Sequence, residues 1–247
     1  ANQGSLVQAT RNSVISSLEV TNDEPFVGDI SLPSSDELKQ RVFGYYATQN
    51  RAVTVQDYQS MCYAMPGKFG TVKRAAVVRD FDEFKRNLNI YIISQNSSGK
   101  LVAANSTLNN NLRSWILQYK VVNDTVDILD ATIANFGINY VVALDLNANR
   151  FTVLNEANAA LRAYLLRNQY EIGESILITD FYKVLQDVDG IVDVVDLEIV
   201  GRTGAGYAAS NLDYKANLTA DGRRILGDSN SIFELKFPNV DIKGSVQ

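Results

Sequence analysis

The chain has 247 residues, of which 46% are hydrophobic and 21% charged, a composition typical of a globular protein long enough to bury a substantial core. Its 23 Lys and Arg against 28 Asp and Glu give a net charge of −5, which argues against a nucleic-acid or anionic-membrane partner, and no apolar run approaches the roughly 20 residues of a membrane span. The absence of histidine excludes Ser–His and Cys–His nucleophile pairs, histidine zinc ligands and imidazole acid–base chemistry.

The N-terminal residues 1–33 have mixed patterning and predict a connector from an upstream domain. A helix is predicted to begin after Ser34, because Ser34 and Glu37 have the spacing of a capping box. We expect this helix to end near Asn50. Its apolar stripe consists of Leu38, Val42, Tyr45 and Tyr46.

The next helix is the element around which the rest of the chain is organised. Thr54 is placed to cap it, and the carboxylate of Asp57 meets the free N–H groups and the positive dipole of its first turn. Pro66-Gly67 is expected to end it. Cys62, the single cysteine, is predicted to be a buried thiol without a chemical role. The predicted buried face consists of Val55, Tyr58, Met61, Cys62 and Met65.

Two strands and another amphipathic helix are predicted to follow. Residues 71–79 and 88–94 are rich in β-branched and aromatic side chains, and a charged loop joins them. Ser106 or Thr107 can cap a helix after them, and residues 126–129 predict a short strand. The apolar face of that helix consists of Leu108, Leu112, Trp115, Ile116 and Tyr119.

The middle of the chain contains an internal repeat with a constant offset of 49 residues. The words LRSWIL and LRAYLL begin at Leu112 and Leu161, and Tyr91 and Tyr140 precede them at equal distances. This pattern predicts an α+β fold of duplicated strand–helix–strand units, similar to a ferredoxin-like split βαβ arrangement. The two predicted units span residues 34–132 and 133–200.

A second copy of the central helix is predicted at residues 179–190, because Asp180 and Gly190 are separated as Asp57 and Gly67 are. Strands are predicted on either side of it, at residues 176–178 and 191–200.

The last segment, residues 201–247, predicts a small β-rich tail or arm. It begins with the Gly- and Ala-rich loop GRTGAGYAAS, and its strands are predicted at residues 213–218 and 232–237. Arms that end in exposed strands often pair with the sheet edge of a neighbour.

The acidic residues between 187 and 198 do not match a metal-binding pattern. If Gly190 took the sixth position of a calcium loop, Leu185 would occupy the first, where an oxygen ligand is required. The Gly-x-x-Gly-x-Gly spacing from Gly201 lacks the lysine of a P-loop and the helix of a dinucleotide site. We therefore predict no catalytic residue, no cofactor and no metal site.

The words Asn50-Arg51-Ala52-Val53-Thr54, Asp57-Tyr58 and Pro66-Gly67 resemble the RAVT…DY…PG passage of J-like baseplate proteins, found in contractile-tailed phages and related injection machines. The resemblance covers about residues 28–200 and is greatest to the C-terminal part of the T-even-type wedge ring subunit. It implies structural roles: Thr54 and Asp57 cap the helix, Tyr58 packs under it and Arg51 pairs with a carboxylate. The motif residues are Arg51, Val53, Thr54, Asp57, Tyr58, Pro66 and Gly67.

The resemblance implies a non-enzymatic structural subunit of a phage tail baseplate wedge. Such a subunit binds copies of itself, through dimer contacts within a ring, and other wedge proteins, and it rearranges when the sheath contracts. Its expected location is the virion tail baseplate, assembled in the bacterial host cytoplasm, with no nucleic-acid or membrane partner.

Two alternatives remain open from the residues. One is a carboxylate-dependent enzyme such as a glycosidase, which would place paired acids in a cleft. The other is a ferredoxin-like module for RNA or a small ligand, which would require a basic or aromatic sheet face. The strand at residues 89–93 offers only Tyr91 for that purpose.

Overall fold

The computed structural model describes residues 33–80, 87–209 and 212–247, so the connector predicted at residues 1–33 lies outside them except for Pro33. Helices and sheets combine into an α+β fold, as the sequence predicts. The helices are α1 (Ser35–Thr48), α2 (Val55–Ala64), α3 (Ser106–Ile116), α4 (Arg150–Arg167), α5 (Ile178–Gln186) and α6 (Pro238–Asp241). The strands are β1 (Arg74–Arg79), β2 (Asn87–Gln95), β3 (Leu101–Val102), β4 (Thr125–Asp130), β5 (Thr132–Leu144), β6 (Ile176–Leu177), β7 (Ile191–Gly201), β8 (Arg224–Ile225), β9 (Ser231–Glu234) and β10 (Ile242–Val246).

The first sheet is built around β2. β1 pairs with it in the antiparallel sense and β4 in the parallel sense, so that Ile90 lies opposite Val77 on one side and Ile128 on the other. Side chains of α2, α3 and these strands form one apolar core. Its fully buried members include Tyr58, Met61, Ile90, Ile92 and Leu112.

The second sheet is built around β5, which pairs antiparallel with β7 and parallel with β10. Tyr140 of β5 lies opposite Gly244 of β10, where a Cβ atom would overlap the tyrosine ring. Glycine at this position therefore allows the ring to lie across β10. Helices α4 and α5 complete the core beside this sheet, and we call the parts of the chain built around β2 and β5 the first and second halves. The fully buried members of this second core include Phe136, Ile138, Tyr140, Leu161 and Phe181.

The internal repeat corresponds to β2 with α3 and to β5 with α4. Leu112 and Leu161 are both fully buried, but the strand that lies parallel to the central strand differs. In the first half β4 pairs directly with β2, so the βαβ unit is not split as it is in the ferredoxin-like template. In the second half the strand predicted at residues 176–178 is only β6, which leads at once into α5 and pairs with β8. β10 occupies the place beside β5 instead.

The tail differs from its predicted form. Residues 214–217 form a turn rather than a strand, because Oδ1 of Asp213 accepts hydrogen bonds from the N–H groups of Lys215 and Ala216. Leu218 forms a single antiparallel bridge with Ile225. The strand predicted at residues 232–237 is β9. β9 and β10 both pair with β5 of the same chain. The glycine-rich loop is also bonded to the rest of the tail, since the Tyr207 hydroxyl donates a hydrogen bond to Oδ1 of the buried Asp241 at 2.6 Å.

Candidate association surface

Thr54 and Asp57 form the capped start of α2. Oγ1 of Thr54 accepts a hydrogen bond from the N–H of Asp57 at 3.2 Å, and Oδ2 of Asp57 accepts from the N–H groups of Thr54 at 2.9 Å and Val53 at 3.1 Å. Burial acts to raise the pKa of Asp57, but the hydrogen bonds from Thr54 and Val53 outweigh it and lower that pKa below its ordinary value. These contacts are a capping box, which confirms the predicted start of the helix.

Two polar contacts fix α2 to its surroundings, and its single cysteine is buried. The hydroxyl of Tyr58, which is fully buried, donates to Oδ2 of Asp124 at 2.8 Å, and burial together with this contact raises the pKa of Tyr58. Nε1 of Trp115 in α3 donates to the carbonyl oxygen of Met61 at 2.9 Å. Cys62 is enclosed, and burial raises its pKa to about 12, so its thiolate is not formed at neutral pH.

The other motif residues lie at the end of α2 or on the surface. The carbonyl of Pro66 accepts the N–H of Phe69 at 2.9 Å, which begins the 3₁₀ turn Gly67–Phe69 and stops the helix. The side chains of Arg51 and Val53 are exposed. Within the described part of the chain, Arg51 has no carboxylate partner, so the predicted ion pair is not formed there.

Replacing Thr54 by Ala should lower the free energy of unfolding by about 1 kcal/mol, because one N–H group of the first turn loses its acceptor. Urea denaturation followed by circular dichroism measures this change. Ser114→Ala is the matched control, since Ser114 is an exposed hydroxyl in the last turn of α3 and the substitution is expected to change stability by less than about 0.5 kcal/mol. Equal midpoints for the Thr54 variant and the unaltered protein would contradict the capping role.

The second copy of this helix, α5, keeps the buried aromatic residue but not the cap. Phe181 is fully buried, and its ring meets that of Tyr164 edge-on with centroids 6.0 Å apart. Leu177 precedes α5 and provides no side-chain cap. Asp180 instead accepts a hydrogen bond from the hydroxyl of Tyr164 at 3.1 Å. The spacing that α2 and α5 share therefore identifies a buried aromatic residue in each helix. Asp57 and Asp180, in contrast, have different hydrogen-bond partners.

An ionic cluster centred on Arg74 joins the two halves of the molecule. Arg74 is buried at the start of β1, with Nη1 2.8 Å from Oε1 of Glu37 and Nε 2.9 Å from Oε1 of Glu171. Nη2 of Arg41 lies 2.7 Å from the same Glu37 oxygen, and its guanidinium stacks 4.2 Å from the ring centre of Tyr63. Burial raises the pKa of Glu37, but Arg74 and then Arg41 lower it more. Sequence reasoning missed this cluster because its members come from distant segments.

The apolar stripe predicted for α1 faces solvent, whereas an amphipathic helix ordinarily turns that stripe to a core. Of the predicted stripe, Leu38 is 51% exposed, Val42 59%, Tyr45 38% and Tyr46 84%, and Phe43, outside that stripe, is 76% exposed. The opposite side of the helix contacts α2, where Gly44 approaches Ser60 so closely that a Cβ atom would lie 2.6 Å from its Oγ. Because α1 packs on α2 through its Gly44 side, the large apolar side chains on its other side are exposed to solvent. We call Leu38, Val42, Phe43 and Tyr46 the α1 apolar face.

Two further features concern metals and membranes. Across residues 33–80, 87–209 and 212–247, no group of three or more Cys, Asp or Glu side chains could hold a metal ion. The helices in that same part of the chain are too short or too polar to cross a membrane.

No protein-family model matches the chain, and no curated protein matches it. Among solved structures it is similar to a chain in the cryo-EM structure of the anti-feeding prophage baseplate, symmetrised six-fold, with 11% sequence identity and a TM-score of 0.48. The similarity covers 88% of this chain and 51% of that chain, so this chain spans about half the length of its structural neighbour. At this level of similarity we take function from the residues of this chain alone.

Proposed function

We propose that the chain is a structural subunit of a phage tail baseplate wedge that works without catalysis, by associating with copies of itself and with other wedge proteins. In this proposal it is part of a ring that rearranges on sheath contraction, in a virion tail assembled in the bacterial host cytoplasm. The α1 apolar face is the observation that supports association most directly. The motif between Arg51 and Gly67, which resembles J-like baseplate proteins, supports this class of structural subunit.

The α1 apolar face has the character of a binding surface. Single exposed apolar residues are common on proteins, but a contiguous group with two aromatic rings on one helix side is typical of an interface. Covering each of these side chains would contribute about 1.5–3 kcal/mol before the entropic cost of association. Phe43 and Tyr46 have the largest exposed fractions and are the expected anchors.

The helix that presents this face is held in a fixed orientation. Glu37 in its first turn is paired with Arg74 and Arg41, and Gly44 seats its middle against α2. A surface that is ordered before binding loses little conformational entropy when it docks. This arrangement favours a permanent structural contact.

Light scattering of the chain over a wide concentration range tests the proposal. We expect a dimer or larger species, and we expect the double variant Phe43→Ser/Tyr46→Ser to shift the population to monomer. The matched control is Leu146→Ser/Phe151→Ser, because these side chains are also exposed, at 101% and 77%, but belong to the loop before α4 and to α4 itself.

The light-scattering experiment has three distinguishable outcomes. A control that stays associated while the α1 variant dissociates supports self-association through this face. Equal association of the α1 variant and the unaltered chain would contradict it. A monomer at every concentration would remove self-association by this chain from the proposal.

A further inference from the structure

A cleft of about 150 Å³ opens where the two halves of the molecule meet, between β9, the C-terminal part of α4 and the loop before β3. Four cationic side chains line it, whereas Glu234 is the single carboxylate among its described lining residues. This local excess of positive charge is unusual in a chain whose net charge is −5. The cations are Lys73, Arg74, Lys100 and Arg162.

Most of the charged groups around the cleft already have partners within the protein. Arg74 is paired with Glu37 and Glu171, and Nζ of Lys100 donates to the carbonyl oxygen of Lys236. The carboxylate of Glu234 accepts hydrogen bonds from the N–H of Leu101 at 2.8 Å and from Nδ2 of Asn135 at 2.9 Å. Both oxygens of the Glu234 carboxylate therefore already have a donor within the protein.

Arg162 is the exception. It lines the cleft from α4, and in the described part of the molecule its guanidinium has no carboxylate partner. Its Nε atom is fully enclosed and has no hydrogen-bond acceptor. Buried polar atoms almost always have a partner, because leaving one unpaired costs free energy. The arginine that lines the cleft thus has one donor without an acceptor in the described structure.

The rest of the lining specifies the kind of acceptor. A planar guanidinium matches a carboxylate, to which it can donate two parallel hydrogen bonds. The walls beside Arg162 are apolar and aromatic, so they favour a compact apolar group attached to that carboxylate. The apolar lining side chains that have accessible surface are Leu165, Leu166 and Tyr170.

We propose that this cleft binds a carboxylate attached to a compact apolar group, with the carboxylate on Arg162 and the apolar group against Leu165, Leu166 and Tyr170. Two sources present this chemistry, a free aromatic or branched carboxylic acid and the carboxyl end of a peptide that terminates in an apolar residue. The proposal uses none of the four side chains of the α1 apolar face, so its test does not depend on assembly through α1.

The test is a titration of the ¹⁵N-labelled full chain followed by NMR, in which the Nε–H of Arg162 is observed directly. One arm uses 4-phenylbutyrate, with the neutral 4-phenylbutanol as its control. The other arm uses the peptide Gly-Gly-Phe with a free carboxyl end, with the C-terminal amide as its control. Arg162→Gln is compared with Arg167→Gln, an exposed arginine of the same helix that does not line the cleft.

Binding should saturate for at least one carboxylate and should be weaker by about ten-fold or more for its uncharged counterpart. Arg162→Gln should weaken binding to a similar extent, Arg162→Lys should have an intermediate effect, and Arg167→Gln should have none. Binding of phenylbutyrate identifies a free acid as the source, and binding of the peptide acid alone identifies a chain end. No binding of either carboxylate, or equal binding by the neutral controls or by a folded Arg162→Gln, would overturn the proposal.

Discussion

Replacing Phe181 by Ala is expected to lower the free energy of unfolding by about 4 kcal/mol. The ring is fully buried in the second core, between the helices and the sheet, and meets Tyr164 edge-on. Its removal leaves a cavity that the surrounding strands cannot close, because β5 is paired on both sides. Equilibrium guanidinium denaturation measures the loss, and calorimetry should show a melting temperature lower by about 10 °C.

Phe151→Ala is the matched control for this prediction. This substitution also removes a phenyl ring, here from α4. Because Phe151 is 77% exposed, the free energy of unfolding is expected to change by no more than about 0.5 kcal/mol. A small effect of both substitutions would show that the position of Phe181 does not contribute to the core as its burial indicates.

Replacing Glu37 by Gln is expected to cost about 2 kcal/mol, between the values for exposed and buried ion pairs, since the Glu37 side chain is one quarter exposed. The substitution leaves Arg74, which is buried, and Arg41 without their shared counter-charge. The neighbouring Asp36→Asn is the control, because Asp36 and Lys39 form a pair on the surface and should contribute little. Urea denaturation at neutral pH compares the two variants.

The effect of Glu37→Gln should also depend on pH. Because the pKa of Glu37 is held below its ordinary value of 4.5, the ion pairs contribute fully above that value and are lost as pH falls through the lower pKa of the folded state. The difference in unfolding free energy between the variant and the unaltered protein should therefore shrink toward zero in acid. A difference that stays constant from neutral to strongly acidic pH would exclude the ionic origin of the effect.

The parts of the fold that local signals determine could be predicted from the sequence. The box formed by Thr54 and Asp57 and the stop at Pro66-Gly67 depend on residues within one or two turns of helix. The central strands β2 and β5 also follow from local β-branched and aromatic runs, and the repeat relates them. The burial of Cys62 follows from its place on an apolar helical face.

The candidate surfaces could not be predicted in the same way, because distant parts of the chain form them. Helical spacing identifies the stripe at Leu38 and Val42, but it does not reveal that Gly44 seats the opposite side on α2. The neighbours of Arg162 in the cleft come from segments far apart in sequence, and no spacing rule connects them. The pairing of β10 with β5 was missed for the same reason.

The pairing of Ile242 with Ile138 has a consequence for how the molecule forms. The two strands are about a hundred residues apart, so the second sheet cannot close on the ribosome until β10 has been synthesised. Until then the edge of β5 that β10 later covers is open to other strands. Closing so long a loop also delays parallel pairing, so refolding of the second half should be slower than that of the first, where only β3 and α3 separate β4 from β2.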